Sequence, residues 1–85
     1  MYTVIFDEKA DKDFRKLPRE IQEKITKAIR EKLNIHADIY LIPLVGDKTG
    51  MYKFRVGEYR LLCKRDGDKL VITVLKVKHR KDVYR

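Results

Sequence analysis

Apolar and polar positions alternate at the start of the chain, recur at helical spacing through its middle, and alternate again toward its end. Tyr2-Thr3-Val4-Ile5-Phe6, rich in β-branched and aromatic residues, predicts a short strand. Asp7 follows as an N-cap, and Ala10, Phe14 and Leu17 then recur at helical spacing. Pro18 ends that helix and suits the first turn of the next. In the second helix Ile21, Ile25, Ala28, Ile29 and Leu33 make one apolar stripe, with Glu20–Lys24 and Glu23–Lys27 as acid-before-base pairs on the wet side.

Residues 34–50 read as irregular, broken by Pro43, Gly46 and Gly50. Three strands are then predicted: Met51–Val56, Tyr59–Arg65 and Lys69–Val77. Gly57-Glu58 fits a two-residue type II′ turn between the first two, and Asp66-Gly67-Asp68 a hairpin connection between the last two. The layout is βααβββ. It implies an α+β domain over residues 1–85, a mostly antiparallel sheet with a helical hairpin on one face.

The turn permits a sharper expectation. A two-residue loop places Val56 opposite Tyr59, Arg55 opposite Arg60, Phe54 opposite Leu61 and Lys53 opposite Leu62. Tyr52, Phe54, Val56, Tyr59, Leu61 and Cys63 then share an apolar face for the helices. Lys53, Arg55 and Arg60 share the other. Two directly opposed arginines repel at a cost of about 0.2–1 kcal/mol. Their guanidinium forks match phosphate oxygens two at a time, so the pair points to an anionic ligand.

Overall charge extends this picture. Residues 1–50 carry ten basic and nine acidic side chains, whereas residues 51–85 carry eleven and four. Such asymmetry suits a polyanion, although an acidic protein or plain solvation suits it too. The tail from His79 to Arg85 adds Arg80 and Lys81 beside Tyr84, a combination that grips phosphate and stacks on a base. His79 is a possible proton carrier, and His36 complements the dipole near the end of the second helix. Gly46-Asp47-Lys48-Thr49 lacks the preceding glycine of a phosphate loop.

Other classes fall away. The lone Cys63, predicted on the apolar face, makes no disulfide framework and reads as a core residue. With two scattered histidines it forms no metal set, so neither metal nor cofactor is expected. No run of 18 apolar residues and no signal-peptide pattern occurs, so a cytoplasmic protein without a membrane segment is expected.

The segment from Tyr52 to Leu62, the ending from Lys78 to Tyr84 and the order of elements resemble the RelE toxins of the RelE/ParE superfamily. The resemblance implies a small endoribonuclease toxin that cuts messenger RNA in the ribosomal A site and is restrained by a cognate antitoxin. It implies attack of a ribose 2′-hydroxyl on the adjacent phosphate, leaving a 2′,3′-cyclic phosphate and a 5′-hydroxyl. Lys53 and Arg55 match the two basic positions of the strand after the helices, Arg60 the arginine of the next strand, and Arg80 and Tyr84 those of the tail.

Arg55 departs from the lysine usual at its position, and arginine does not surrender a proton in water. Lys53 is therefore the first candidate for general base, with Tyr84 or His79 in reserve. Arg55 and Arg60 hold the phosphate, Arg80 lies near the leaving oxygen and Tyr84 stacks on a base. A ParE-type toxin acting on gyrase, or a weakened member that only binds antitoxin or RNA, remains the alternative. The antitoxin is expected to bring an acidic, partly disordered segment.

Overall fold

The computed structural model describes residues 1–45 and 50–83. In chain order its elements are β1 (Thr3–Phe6), α1 (Glu8–Arg15), α2 (Arg19–Ala28), a wide turn (Ile29–Leu33), α3 (Asn34–Tyr40), β2 (Ile42–Pro43), β3 (Met51–Val56), β4 (Tyr59–Asp66), β5 (Val71–His79) and α4 (Arg80–Val83). The strands form one sheet in the order β1-β5-β4-β3-β2. The βααβββ order holds, with α3, the edge strand β2 and α4 added to it. A two-residue edge strand precedes β3, and β1 runs parallel to β5, which makes the sheet mixed.

The helical hairpin is built from local chemistry. Asp7 caps α1 by accepting the Ala10 amide at 2.8 Å. Between the helices, the Gln22 side-chain amide donates to Leu17 O at 2.9 Å and Arg15 O at 3.2 Å, satisfying carbonyls that α1 leaves unpaired. The ion pair on α2 is Arg19–Glu23, at 3.4 Å, rather than the anticipated Glu20–Lys24 and Glu23–Lys27. Lys24 instead lies over the β3–β4 turn, its Nζ 3.1 Å from where a Cβ on Gly57 would sit.

Helical structure runs on to Tyr40 where an irregular stretch was expected. The reason is a spacing of four. Ile25, Leu33, Ala37 and Leu41 are buried and Ile29 is half-buried, at every fourth position. An α-helix has 3.6 residues per turn, so such a series drifts around its surface. The wider π-type turn at Ile29–Leu33 turns the stripe back toward the sheet. His36 lies at a kink inside α3 (φ −124°, ψ 45°) and is exposed, not at a helix end as its dipole role required.

The core lies between these helices and one face of the sheet. Phe54, Ile25, Leu33, Leu61, Ile72, Val74 and Cys63 are fully enclosed there. Each large apolar side chain so buried contributes about 1.5–3 kcal/mol. Burial pushes the Cys63 thiol up from 9.0 to about 12, as befits a core residue and not a nucleophile. At the rim, Arg65 Nε donates to the Tyr2 hydroxyl at 2.8 Å, and its Nη2 pairs with Asp38 on α3. Asp38 first, then Tyr2, hold that guanidinium above its ordinary pKa.

The loop between β4 and β5 departs from the expected hairpin. It spans residues 67–70, and the left-handed residue is Leu70 (φ 55°) rather than Gly67. The Asp66 carboxylate organises the loop by accepting the Asp68 and Lys69 amides, both at 3.1 Å. Among the described residues, no helix is long and apolar enough to cross a membrane.

Candidate nucleic-acid interface

The Gly57-Glu58 turn places the site. Gly57 takes φ 58°, and Glu58 is not left-handed, as a type II′ turn requires. Val56 pairs with Tyr59 and Arg55 with Arg60, the register anticipated from loop length. Residues flanking a two-residue loop exchange both backbone bonds, so the arginines form the next, non-hydrogen-bonded pair. In such a pair the Cα atoms approach to about 4.5 Å, so the two arginines leave neighbouring strands on the same face.

Phe54, Val56, Leu61 and Cys63 are buried under the helices, with Tyr52 and Tyr59 packed against them. Arg55 is exposed, and Lys53 and Arg60 are half-buried on the opposite face. Lys53 lies one row from the arginines, between Leu62 of β4 and Ile42 of β2. Arg55 also borders a groove with Lys24, Lys27, Lys32 and the acidic Glu31 between the helices and β3.

Two further cations join this face from β5: Lys78 pairs with Arg60, and Lys76 with Leu62. Sequence reasoning missed them because the strand changes parity midway. Ile72 and Val74 are buried at even positions, whereas Val77, opposite Leu61, packs against the core from an odd one. A bulge at Leu75 reconciles the two halves. The signal was Lys76-Val77-Lys78, whose alternation is out of phase with Ile72-Thr73-Val74.

The tail begins at the same end of the sheet. The Arg80 amide donates to Glu58 O at 2.6 Å, which fixes the start of α4 beside the β3–β4 turn. The Arg80 side chain is exposed. His79 pairs with Tyr59 in register, so it belongs to the row after the opposed arginines, on the covered side. Its Nδ1 accepts the Lys81 amide at 3.1 Å, and its Nε2 lies 3.4 Å from Glu58. The ring stands edge-on to Tyr59, with centroids 5.0 Å apart. Tyr84 and the Gly46-Asp47-Lys48-Thr49 segment lie outside the described residues.

No described acidic side chain makes an ion pair with Lys53, Arg55, Arg60, Lys76 or Lys78. Among the described residues, no three His, Cys, Asp or Glu side chains gather as metal ligands.

Known proteins resemble this chain in sequence and fold. Residues 4–84 match the family of the ParE toxin of the parDE type II toxin–antitoxin system. Toxin RelG of Mycobacterium tuberculosis is 34% identical over 89 residues, spanning 99% of this chain and 97% of RelG. The chain belongs to the RelE/ParE toxins. A chain of the toxin–antitoxin complex RelBE2 from M. tuberculosis superposes with a TM-score of 0.85 at 32% identity, covering 93% of this chain and 91% of that one. The isolated E. coli RelE toxin gives 0.75 at 30% identity, covering 99% and 92%. The RelE/ParE fold thus presents, in this member, a strongly cationic open sheet.

Proposed function

We propose that this toxin is a ribosome-dependent messenger-RNA endoribonuclease. The observation that carries the reading is the Arg55–Arg60 pair on the open face, unpaired with any described acid and flanked by Lys53 and Lys78. A dense unneutralised cluster of this kind suits a pentacoordinate phosphorane, whose charge grows in the transition state.

In the proposed reaction the ribose 2′-oxygen bonds to the adjacent phosphorus as the bond to the 5′-oxygen breaks. Lys53 Nζ takes the 2′-hydroxyl proton. Arg55 and Arg60 hold the non-bridging oxygens, Arg80 offsets charge on the leaving oxygen, and Tyr84 orders the nucleotide by stacking. The leaving 5′-oxygen takes a proton from water, so the products are a 2′,3′-cyclic phosphate and a 5′-hydroxyl. No Arg55 proton is needed, which accommodates arginine where the family usually has lysine.

The proposed partner when cutting is unwanted is a cognate antitoxin with an acidic segment. The RelE-like relatives crystallised in RelBE complexes support this. So does an apolar strip on the hairpin side, where α3 exposes Ile35 and Ile39 and the β2 edge exposes Ile42. Such residues suit a wrapping segment that charge steers and apolar contact retains.

The test is to incubate the purified chain with translating ribosomes, and separately with gyrase and relaxed plasmid. Messenger RNA cut in the A site is the expected result. Loss of supercoiling with intact RNA would establish the gyrase reading, which the ParE family match favours. Neither effect would leave an antitoxin- or RNA-binding protein.

A further inference from the structure

The cations of the open face do not stop at the opposed arginines. Following the observed register, Arg55, Arg60 and Lys78 form one row across β3, β4 and β5. Lys53, Leu62 and Lys76 form the next, and Met51, Lys64 and Thr73 the one beyond. Every row carries at least one cation, and Lys64 and Lys76 are exposed. Adjacent rows are two residues apart along β3 and β4, about 6.7 Å, while β5 takes one extra residue at the Leu75 bulge between Lys76 and Thr73. That distance is comparable to one nucleotide repeat of an extended chain.

We propose that the open face carries an extended single RNA strand lengthwise along β4 and β5, each of the three rows holding one of three successive phosphates and the bases turned away from the sheet. This rests on the cleavage reading, because a strand whose scissile phosphate lies at Arg55 and Arg60 must continue somewhere. Lys76 and then Lys64 provide the cationic continuation. The track has an end: the next row holds Asp66 opposite Val71, and that carboxylate is committed to the loop amides.

The composition of the rows argues for backbone contact. Met51, Leu62 and Thr73 lie between the cations, and none of the three rows contains an aromatic ring. A face meant to read or stack bases presents such rings. This one grips phosphate at regular intervals and is indifferent to sequence along Lys76 and Lys64. None of the cations of these rows is paired with a described acid. An acidic peptide would meet the same charge, but it would not continue from a phosphate held by arginine forks.

The experiment measures binding of the whole chain to 2′-deoxy-oligouridylates of two to eight nucleotides across a salt series, beside ribosomal cleavage by the same proteins. Affinity should rise with length to about four nucleotides and then level. Log affinity should fall with log salt at about −0.7 per phosphate held, or about −2 in all. Lys64→Ala and Lys76→Ala should each reduce that slope by about 0.7, while Lys12→Ala on α1 leaves it unchanged.

Normal slopes in both variants would overturn the track, and normal ribosomal cleavage beside them would leave the catalytic reading standing. Absence of oligonucleotide binding at low salt would overturn it as well. So would a glutamate-rich peptide that binds through Lys64 and Lys76 where the oligonucleotides do not. The expected slopes without ribosomal cleavage would retain the track and sink the cleavage reading.

Discussion

Leu61 and Arg60 are adjacent in sequence, yet they belong to regions governed by opposite physics. Leu61 is fully enclosed with Phe54 and Cys63 beneath the helices. Arg60 faces outward, opposite another arginine and beside Lys78. The covered face gains stability from removing apolar surface from water. The open face loses some by crowding like charges. A one-residue slip of register would exchange the two completely, so the turn that sets register also separates stability from function.

The largest effect that separates the faces comes from the buried side. Leu61→Ala should lower stability by about 2–5 kcal/mol, a large part of what so small a domain possesses, with a matching drop in the urea midpoint. Cleavage per folded molecule should hardly change. A variant that stays stable but inactive would place Leu61 in the site and erase the comparison.

On the open side the proton is decisive. Lys53→Arg preserves charge and removes the deprotonatable amine, so single-turnover cleavage should fall by about 10²–10⁴-fold while ribosome affinity is retained. A normal rate would move the base elsewhere and make Tyr84→Phe the next variant to assay. Arg60→Ala should cost about 10²–10³-fold in the same assay. Its stability should be unchanged or higher by up to about 1 kcal/mol, since the opposed-arginine repulsion is relieved. Reduced stability would mean that the pair holds the sheet together.

The mildest test returns to the core. With its thiol raised to about 12, Cys63 stays protonated in the folded chain, whereas the unfolded chain ionises near 9.0. The unfolded state then binds fewer protons, so this stabilising contribution is complete below pH 9 and is lost between about pH 9 and 12. The loss approaches about 1.4 kcal/mol per pH unit. Urea melts at pH 8 and 10 should show a steeper decline in the wild type than in Cys63→Ala. Parallel declines would show that water reaches the thiol.

The same contrast explains what could be read in advance. Gly57-Glu58 counts the loop residues, and from that count the faces of β3 and β4 follow, with Lys53, Arg55 and Arg60 among them. No equivalent marker governs β5. Its loop is left-handed at Leu70 instead of Gly67, and its bulge reverses the inward parity between Val74 and Val77. Lys76 and Lys78 were therefore hidden. The helix through Asn34–Tyr40 was obscured because Ala37 and Leu41 continue a four-residue spacing that an ordinary α-helix does not sustain. Partner choice for β1 depends on the whole sheet and leaves no local trace.

That choice of partner also sets a clock. Thr3 pairs with Val71, and the other described residues of β1 pair with those that follow. At roughly 5–20 residues per second, synthesis takes on the order of ten seconds to travel from one to the other. The β3–β4 hairpin can close in about 1–10 μs once made, whereas β1 must wait for β5. Until then α1 has no finished sheet to dock on, and Ile72 and Val74 have no covered face to complete. The last step of assembly is thus timed by translation, and it joins the earliest strand to the latest.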